Sequence, residues 1–160
     1  PKKLSQEKIG IRDVVDHFLK NIEYKKKIKY VCCIYPCVPL LNKFDILEGY
    51  RKIKTKRYKY IFAASNFSHP IEKSFRLKKN KIKMVFKKVN LKKSSKIMDT
   101  AFHDVGYFYW AKASTWIKNN ISYVNNCSFV KIPNWRAQDL DTSDDFKKVD
   151  LIFKSLKKKL

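Results

Sequence analysis

The chain has 160 residues, of which 44% are hydrophobic and 14% aromatic, enough apolar side chains for one domain with its own core. This hydrophobic content excludes a wholly disordered chain, and three glycines and five prolines exclude the collagen-like and Pro/Gly-rich classes. No apolar run approaches the roughly 18–20 residues of a membrane span, so we expect no membrane partner.

Basic residues outnumber acidic residues by 37 to 14, which gives a formal net charge of +23. A charge of this size favours a nucleic-acid-binding domain. Only five of the basic residues are Arg, however, and bidentate reading of phosphates and bases favours Arg over Lys. Because the Lys residues are spread along the chain, a second interpretation is solvated Lys on exposed faces. We expect non-specific affinity for polyanions and no specific nucleic-acid partner.

The four cysteines do not form a metal-binding pattern. Cys32, Cys33 and Cys37 cluster in one apolar segment, and Cys127 has no close partner in the sequence. A structural zinc site needs two closely spaced pairs of Cys or His. The pattern therefore predicts reduced, buried thiols in a cytoplasmic protein.

The first half of the chain predicts a helix followed by a strand, a helix and a strand. Apolar residues at helical spacing cover residues 11–24. Short apolar runs at 29–35 and 58–65 are typical of strands buried on both faces, and a helix near 42–54 connects them. This order predicts a βαβ unit with a parallel pair of strands.

The second half predicts a partly antiparallel extension. Its elements in chain order are a hairpin at 68–77 and 81–87, a long loop at 88–100, a strand at 105–111, a short helix at 112–119 and a strand at 127–132. Thr142 and Asp145 then occupy the positions of a capping box that begins a final amphipathic helix. No linker divides the chain, so we expect a single α/β domain over residues 1–160.

The segment RAQDLDTSDD at 136–145 places Asp139 and Asp141 two residues apart, directly before the capped helix. On an extended backbone, residues two apart face the same side. Two carboxylates at the carboxyl end of a strand suit Mg²⁺, which prefers one or two carboxylates together with substrate phosphates. The alternative is two solvated loop aspartates beside an ordinary helix cap.

The segment AFHDVGYFYWAK at 101–112 combines His103, Asp104 and Gly106 with five aromatic residues. A glycine in a strand often marks the close approach of a backbone or a ligand. Strand alternation predicts that Tyr109 faces the same cleft as Asp139, whereas Phe108 packs in the core. The alternative is a core strand in which His103 has a structural role.

Three segments together with the final motif resemble one family in order and spacing. VCCIYPCVPLL follows a DVVDHFL helix, and HPIEKSFRL, HDVGYFYWAK and RAQDLDTSDDFKKVDLI follow in turn. The chain resembles the pseudaminic acid cytidylyltransferases, within the CMP-sialic acid synthetase group, from Lys3 to about Leu156. The resemblance implies a nucleotide-diphospho-sugar-transferase-like (Rossmann-like) α/β fold, a mixed sheet with flanking helices and a β extension.

The resemblance also implies an activity: CTP and a nine-carbon 2-keto sugar acid give the CMP-sugar and pyrophosphate. It implies that Asp139 and Asp141 bind Mg²⁺ and that Tyr109 and its strand line the sugar-acid pocket. His103 and Asp104 on that strand are further candidates for substrate binding, as are Arg136 and Gln138 beside the metal motif. The wider group is commonly dimeric, which predicts a homodimer.

The chain departs from the family pattern at its beginning, where no strand and phosphate-binding loop are found. We therefore expect it to be the carboxyl-terminal two-thirds of such an enzyme, marginally stable and catalytically silent when isolated. Pro36 and Cys37 also stand where the family has small and hydroxyl residues, which leaves the CTP contacts unassigned. The other hypotheses are an inactive fragment of such an enzyme and a Lys-rich nucleic-acid-binding domain.

Overall fold

A computed structural model describes residues 2–6, 8–23, 27–86, 98–118 and 125–157. Its helices are α1 (Ile11–Asn21), α2 (Lys43–Lys54), α3 (Ala113–Ile117) and α4 (Ser143–Lys157). Its strands are β1 (Tyr30–Ile34), β2 (Tyr60–Asn66), β3 (Phe75–Lys78), β4 (Lys81–Met84), β5 (Phe102–Lys112) and β6 (Cys127–Lys131). Short 3-10 helices cover Lys2–Ser5, Ile71–Lys73 and Asn134–Arg136.

The central sheet has four strands in the order β1-β5-β2-β6. Strand β5 is antiparallel to both of its neighbours, and β2 pairs in parallel with β6. The predicted mixed α/β fold with flanking helices is therefore confirmed. The predicted parallel pair is wrong: β1 and β2 run in the same direction, but β5 lies between them. An eleven-residue strand offers two long pairing edges, and sequence order does not reveal where such a strand inserts.

The strand β1 lies at an edge of this sheet, which corrects the prediction that it is buried on both faces. Residues 30–33 are half-buried, and Ile34 is exposed. The thiols of Cys32 and Cys33 are half-buried within it, and burial raises the pKa of Cys32 to about 12. No disulfide joins the four cysteines, all of which lie in the described residues, but the prediction that they are buried is wrong: Cys37 is exposed and the other three are half-buried.

Helices cover the two faces of the sheet with separate groups of core side chains. On one face, Leu19 of α1 and Trp116 of α3 pack against Tyr109 of β5. On the other face, Ile53 of α2 packs against a group that includes Phe108. Phe108 is fully enclosed, as the sequence predicts. The sheet thus holds β5 between two cores, which fixes the strand that carries most of the predicted site.

The strands β3 and β4 form a separate antiparallel hairpin, as predicted, although β3 begins only at Phe75. Its turn residues Lys79 and Asn80 both have positive φ, which matches the right-handed twist of the strands. The loop predicted at 88–100 falls mainly on residues 87–97, which lie outside the described part. The predicted end of the short helix at 119 lies outside it as well.

Capping side chains stand at the start of α2 and of α4, and the second of these was predicted from the sequence. The Asn42 side chain accepts a hydrogen bond from the N–H of Phe44 at the start of α2. At α4, the Asp145 N–H donates to the Thr142 hydroxyl, and the Thr142 N–H donates to the Asp145 carboxylate. Only part of the apolar stripe of α4 is buried: Val149 is buried, whereas Phe146 is exposed. No helix of the described residues is long and apolar enough to span a membrane.

Candidate functional site

A large bulge in β5 is the centre of the candidate site. Asp104 and Tyr109 are five positions apart, yet their partners on β2, Ala64 and Phe62, are only two apart. The extra residues of β5 include Gly106, whose φ of 68° lies in the left-handed region that favours glycine. Bulges of this kind redirect side chains and are frequent next to active sites.

The bulge orients the carboxylate of Asp104. The N–H of Gly106 donates to Asp104 Oδ1 at 2.9 Å, and the hydroxyl of Tyr109 donates to the same oxygen at 3.2 Å. The ring of Tyr35, directly after β1, lies 5.4 Å from the ring of Tyr109. Burial raises the pKa of Tyr35, and the nearby carboxylates of Asp104 and Asp139 add to this effect. Tyr35 therefore stays a neutral hydrogen-bonding group at pH 7.

Asp139 reaches the same bulge from the segment before α4. A Cβ built on Gly106 would lie 3.3 Å from Asp139 Oδ2, so the carboxylate packs against the bare glycine. Its other oxygen accepts a hydrogen bond from the N–H of Leu140 at 2.9 Å. Asp141 is exposed, one residue before the Thr142 cap. The structure thus brings Asp139 and the hydrogen-bonded pair of Asp104 and Tyr109 to one bulge, whereas no contact of Asp141 with these residues is seen.

The donor set fits Mg²⁺ only if other ligands complete it. No group of three or more His, Cys, Asp or Glu side chains in the described residues is arranged to hold a metal ion. Mg²⁺ keeps several waters and binds through one or two carboxylates together with substrate phosphates. A half-buried carboxylate at Asp139 and an exposed one at Asp141 are compatible with that mode of binding.

Arg136 has a partner inside the fold. Its guanidinium donates to both carboxylate oxygens of Asp45, at 2.6 and 3.0 Å, and to the carbonyl of Leu40. These hydrogen bonds with Asp45 raise the pKa of Arg136. The pair ties the segment before α4 to the start of α2, and no motif in the sequence pointed to Asp45.

Tyr107 of β5 holds the same segment from the other side. Its hydroxyl donates to the carbonyl of Arg136 and accepts from the N–H of Gln138 at 3.2 Å. Gln138 therefore contributes its backbone to the position of Asp139. The segment 136–139 is fixed at two points before it reaches the bulge.

Two clefts lie beside the bulge. One, of about 390 Å³, is at the start of α1 and is lined by Gly10, Ile11, Arg12, Asp13, Tyr35, Tyr60 and Tyr109. The other, of about 550 Å³, is lined by Phe62, Ala64, Phe102, His103, Asp104, Cys127, Ser128 and Phe129. The hydrogen bond between Tyr109 and Asp104 connects a residue of the first cleft with a residue of the second.

His103 lies in the larger cleft, next to Asp104. Its Nδ1 is 3.0 Å from the carbonyl oxygen of Asp104, and its ring centroid is 4.8 Å from that of Phe67. Sequence reasoning missed Phe62 and Phe129 as lining residues, because apolar residues in buried strands carry no signal of function. Tyr35 could have been found, since it ends an apolar strand directly before Pro36.

The mixed α/β fold agrees with the architecture that the resemblance implies, and the resemblance itself is confirmed by curated relatives. The chain is 29% identical to the pseudaminic acid cytidylyltransferase of Campylobacter jejuni serotype O:2 over 154 residues, 96% of this chain and 66% of the relative. The enzyme of the same name from C. jejuni serotype O:23/36 is 28% identical over the same shares.

A third relative is longer. It is the pseudaminic acid cytidylyltransferase and UDP-2,4-diacetamido-2,4,6-trideoxy-beta-L-altropyranose hydrolase of Helicobacter pylori, 24% identical over 88% of this chain and 27% of the relative. The chain spans about two thirds of the length of the Campylobacter relatives, 66% in each case. No protein-family model matches the chain.

Proposed function

We propose that this chain is the sugar-acid- and metal-binding part of a cytidylyltransferase that activates pseudaminic acid with CTP in the cytoplasm. The observation that carries the proposal is similarity to two enzymes of that name over 96% of the chain. The convergence of Asp104, Tyr109 and Asp139 at one bulge supports it. The cytoplasm is where CTP is made, and four cysteines without a disulfide suit that compartment.

In the proposed reaction, the anomeric hydroxyl of the sugar acid attacks the α-phosphorus of CTP. A new bond forms between this oxygen and the α-phosphorus, and the bond from the α-phosphorus to the oxygen that bridges it to the β-phosphate breaks, so that pyrophosphate leaves. The hydroxyl proton passes to solvent water. Asp139 and Asp141 would hold Mg²⁺, which when bound offsets the charge of the triphosphate and of the leaving pyrophosphate. The surplus of basic residues draws both anionic substrates toward the chain.

The other predicted residues divide into two roles. Asp104 is aimed by Gly106 and Tyr109 and would accept a hydrogen bond from the sugar acid, and His103 in the same cleft is a second substrate contact. Arg136 and Gln138 act through the backbone instead, because their contacts with Asp45 and Tyr107 place Asp139.

The metal site is tested with Mn²⁺ as a paramagnetic probe in the presence of CTP. Asp139→Asn and Asp141→Asn should each weaken Mn²⁺ binding. Asp144→Asn is the matched control, because its carboxylate is 78% exposed and pairs with Lys147 on α4. An unchanged Mn²⁺ affinity in both site variants would contradict the metal assignment. In a complete enzyme, Asp141→Asn should lower turnover about a hundredfold.

The sugar site is tested by calorimetry with free pseudaminic acid. The wild-type chain should bind the acid, and Asp104→Asn should weaken the binding by removing the charged acceptor. Glu48→Gln is the control, because Glu48 is half-exposed and pairs with Lys52 on α2. Absence of binding to the folded wild-type chain would overturn the proposed function.

We further propose that two copies pair through the β3–β4 hairpin. Phe75, Leu77, Ile82 and Met84 share one face, and the first three of these are 57–67% exposed. The opposite face carries only the cations Arg76, Lys78, Lys81 and Lys83. A two-stranded hairpin is marginal in water on its own, so a second copy that covers the apolar face would stabilise it while the cations stay solvated.

The molecular mass of the protein in solution tests this pairing. The wild-type chain should be a dimer by light scattering, and Leu77→Lys should convert it to a monomer. Leu151→Lys is the control, because Leu151 is equally exposed at 67% but lies on α4. A monomeric wild-type chain, or a dimer that Leu77→Lys leaves intact, would exclude the hairpin interface.

A further inference from the structure

A group of lysines lies at the end of the central sheet that is remote from the bulge. Lys29 directly precedes β1, Lys59 directly precedes β2, and Lys112 ends β5. These positions are close together, because the N–H of Ala113 donates to the carbonyl oxygen of Lys29 at 3.1 Å. Tyr35, beside the bulge, is six residues further along the chain than Lys29, which corresponds to about 20 Å on an extended strand. The lysines are therefore separate from the candidate site.

A cleft of about 420 Å³ opens at this end of the sheet. Its lining combines three ammonium groups and one hydroxyl with apolar side chains: Lys27, Lys29, Lys112, Ser114, Ile28 and Ala113. No residue of this lining is acidic. Cations on the walls of a cleft produce a stronger local potential than cations on a flat surface, because the low-dielectric walls focus the field. The cleft therefore suits an anion with several negative charges.

The pairing of the strands adds a fourth cation beside the cleft. Tyr60 lies opposite Ala111, so the same register places Lys59 opposite Lys112. Like charges directly opposite each other on neighbouring strands are destabilising. Within the part of the chain that the structure describes, Lys29, Lys59 and Lys112 form no ion pair with a carboxylate. A bound anion would offset a repulsion that these residues leave in place.

We propose that this cleft binds a free oligophosphate, an anion in which several phosphate groups follow one another. Phosphate oxygens accept charge-assisted hydrogen bonds from the ammonium groups of Lys29 and Lys112, and the hydroxyl of Ser114 is a further donor. Lysine binds phosphate as a point charge and not as a planar fork, so the site responds to the number of charges on the ligand. Oligophosphates are therefore preferred over orthophosphate. The proposed cytidylyltransferase reaction makes no use of this cleft.

Calorimetry with tripolyphosphate, without divalent cations and at low ionic strength, tests the site. The wild-type chain should bind tripolyphosphate and should bind orthophosphate more weakly. Lys29→Gln and Lys112→Gln should each weaken the binding of tripolyphosphate about tenfold, since each removes a hydrogen bond between charged groups. Added salt should weaken the wild-type affinity, because it screens exposed charges. Absence of tripolyphosphate binding to the folded wild-type chain would overturn the proposal.

Lys81→Gln is the matched control. Lys81 is exposed and belongs to the β3–β4 hairpin, which is separate from the central sheet. The substitution removes the same charge as the cleft variants, and it should leave the affinity for tripolyphosphate within about twofold of the wild type. An equal loss of affinity in Lys81→Gln and in both cleft variants would mean an adventitious ion only, held by the net charge of the chain, and the proposal would be wrong.

Thermal melting is a second measurement on the same variants. A ligand that binds only the folded chain raises its melting temperature. Tripolyphosphate should therefore raise the melting temperature of the wild type and of Lys81→Gln, and should raise it less in Lys29→Gln and Lys112→Gln. Lys29 is exposed, so its variant keeps the comparison valid even if substitution of the half-buried Lys112 lowers stability. The same increase in all four proteins would contradict the assignment of the cleft.

Two further comparisons identify the place and the source of the phosphate groups. Asp139→Asn should leave the affinity for tripolyphosphate unchanged, and an about tenfold change would place the anion at the candidate reaction site and overturn the proposal. Random-sequence DNA offers the same phosphate groups on a polymer. If Lys29→Gln and Lys112→Gln weaken DNA binding but leave tripolyphosphate binding unchanged, the cleft binds a nucleic-acid backbone and the assignment to a free oligophosphate is wrong.

Discussion

Replacing Gly106 by Ala perturbs the bulge at the residue on which its geometry depends. At a φ of 68°, Gly106 occupies the left-handed region, which costs a non-glycine residue about 1–2 kcal/mol. The new Cβ would also lie 3.3 Å from Asp139 Oδ2, so the carboxylate must move by a few tenths of an ångström. We expect the free energy of unfolding to fall by about 1–2 kcal/mol and the melting temperature by about 2–8 °C.

The same substitution should reach the proposed metal site. Displacement of Asp139 alters a carboxylate that would bind the cation directly, and changes close to a metal site typically cost tenfold or more in affinity. We therefore expect Gly106→Ala to weaken Mn²⁺ binding, measured with CTP present, by about tenfold. Thermal melting and the Mn²⁺ titration are performed on the same preparation.

Gly10→Ala is the matched control for this prediction. Gly10 has a φ of −80°, and a Cβ there would meet only Asp13 Oδ2 at an ordinary 3.8 Å. Because Gly10 is the N-cap of α1 and Ala is a poorer N-cap than Gly, the melting temperature should fall modestly, but the Mn²⁺ affinity should stay that of the wild type. An unchanged melting temperature and Mn²⁺ affinity for Gly106→Ala would refute the view that the bare glycine holds the bulge and Asp139 in place.

Three further predictions concern stability and charge. Arg136→Gln removes the charge partner of the Asp45 carboxylate, whose side chain is only 11% exposed, and should lower the free energy of unfolding in urea by about 3 kcal/mol. Lys147→Gln breaks an exposed ion pair and should change this free energy by less than about 0.5 kcal/mol. Equal effects of the two substitutions would contradict this reasoning. Hydrogen bonds from Thr142 lower the pKa of Asp145 in the folded state. They therefore stabilise the fold at pH values above the usual aspartate pKa of about 3.9, and this stabilisation is lost as the pH falls through the lowered pKa. Thr142→Val should therefore lower the melting temperature more at pH 7 than at about pH 2, and a pH-independent difference would speak against the cap. Fluorescence anisotropy with random-sequence DNA should show weak binding that disappears between about 50 and 200 mM salt, and tight binding at physiological salt would revive the nucleic-acid-binding hypothesis.

The elements that the sequence determined by itself are those encoded within a few neighbouring residues. Apolar spacing predicted a helix near 42–54, where the structure has α2 at Lys43–Lys54, and the capping box of Thr142 and Asp145 predicted the start of α4. Alternation around KKN predicted the β3–β4 hairpin. In each case the decisive contacts join residues at most a few positions apart, so the pattern carries the information without knowledge of the rest of the fold.

Residues of the candidate site were predicted only in part. The sequence drew attention to Asp104, Gly106 and Asp139 as unusual groups, but not to the contact between the last two, which are 33 positions apart in the chain. Arg136 was predicted as a possible substrate contact, and the structure pairs it with Asp45, 91 positions away. A charged residue in a motif looks the same in the sequence whether its partner is a ligand or a distant carboxylate.

Only the tertiary structure decided how the strands are ordered and where β5 bulges. Strand β5 lies between β1 and β2 because it forms hydrogen bonds with both of them at once, and these partners are distant in the sequence. The bulge follows from pairing β5 with a shorter stretch of β2, so it is a property of the pair and not of either segment. The larger, aromatic cleft is assembled from β2, β5 and β6, so its wall exists only when these distant strands have come together. For this reason the sequence alone did not identify apolar residues such as Phe62 and Phe129 as part of a cleft.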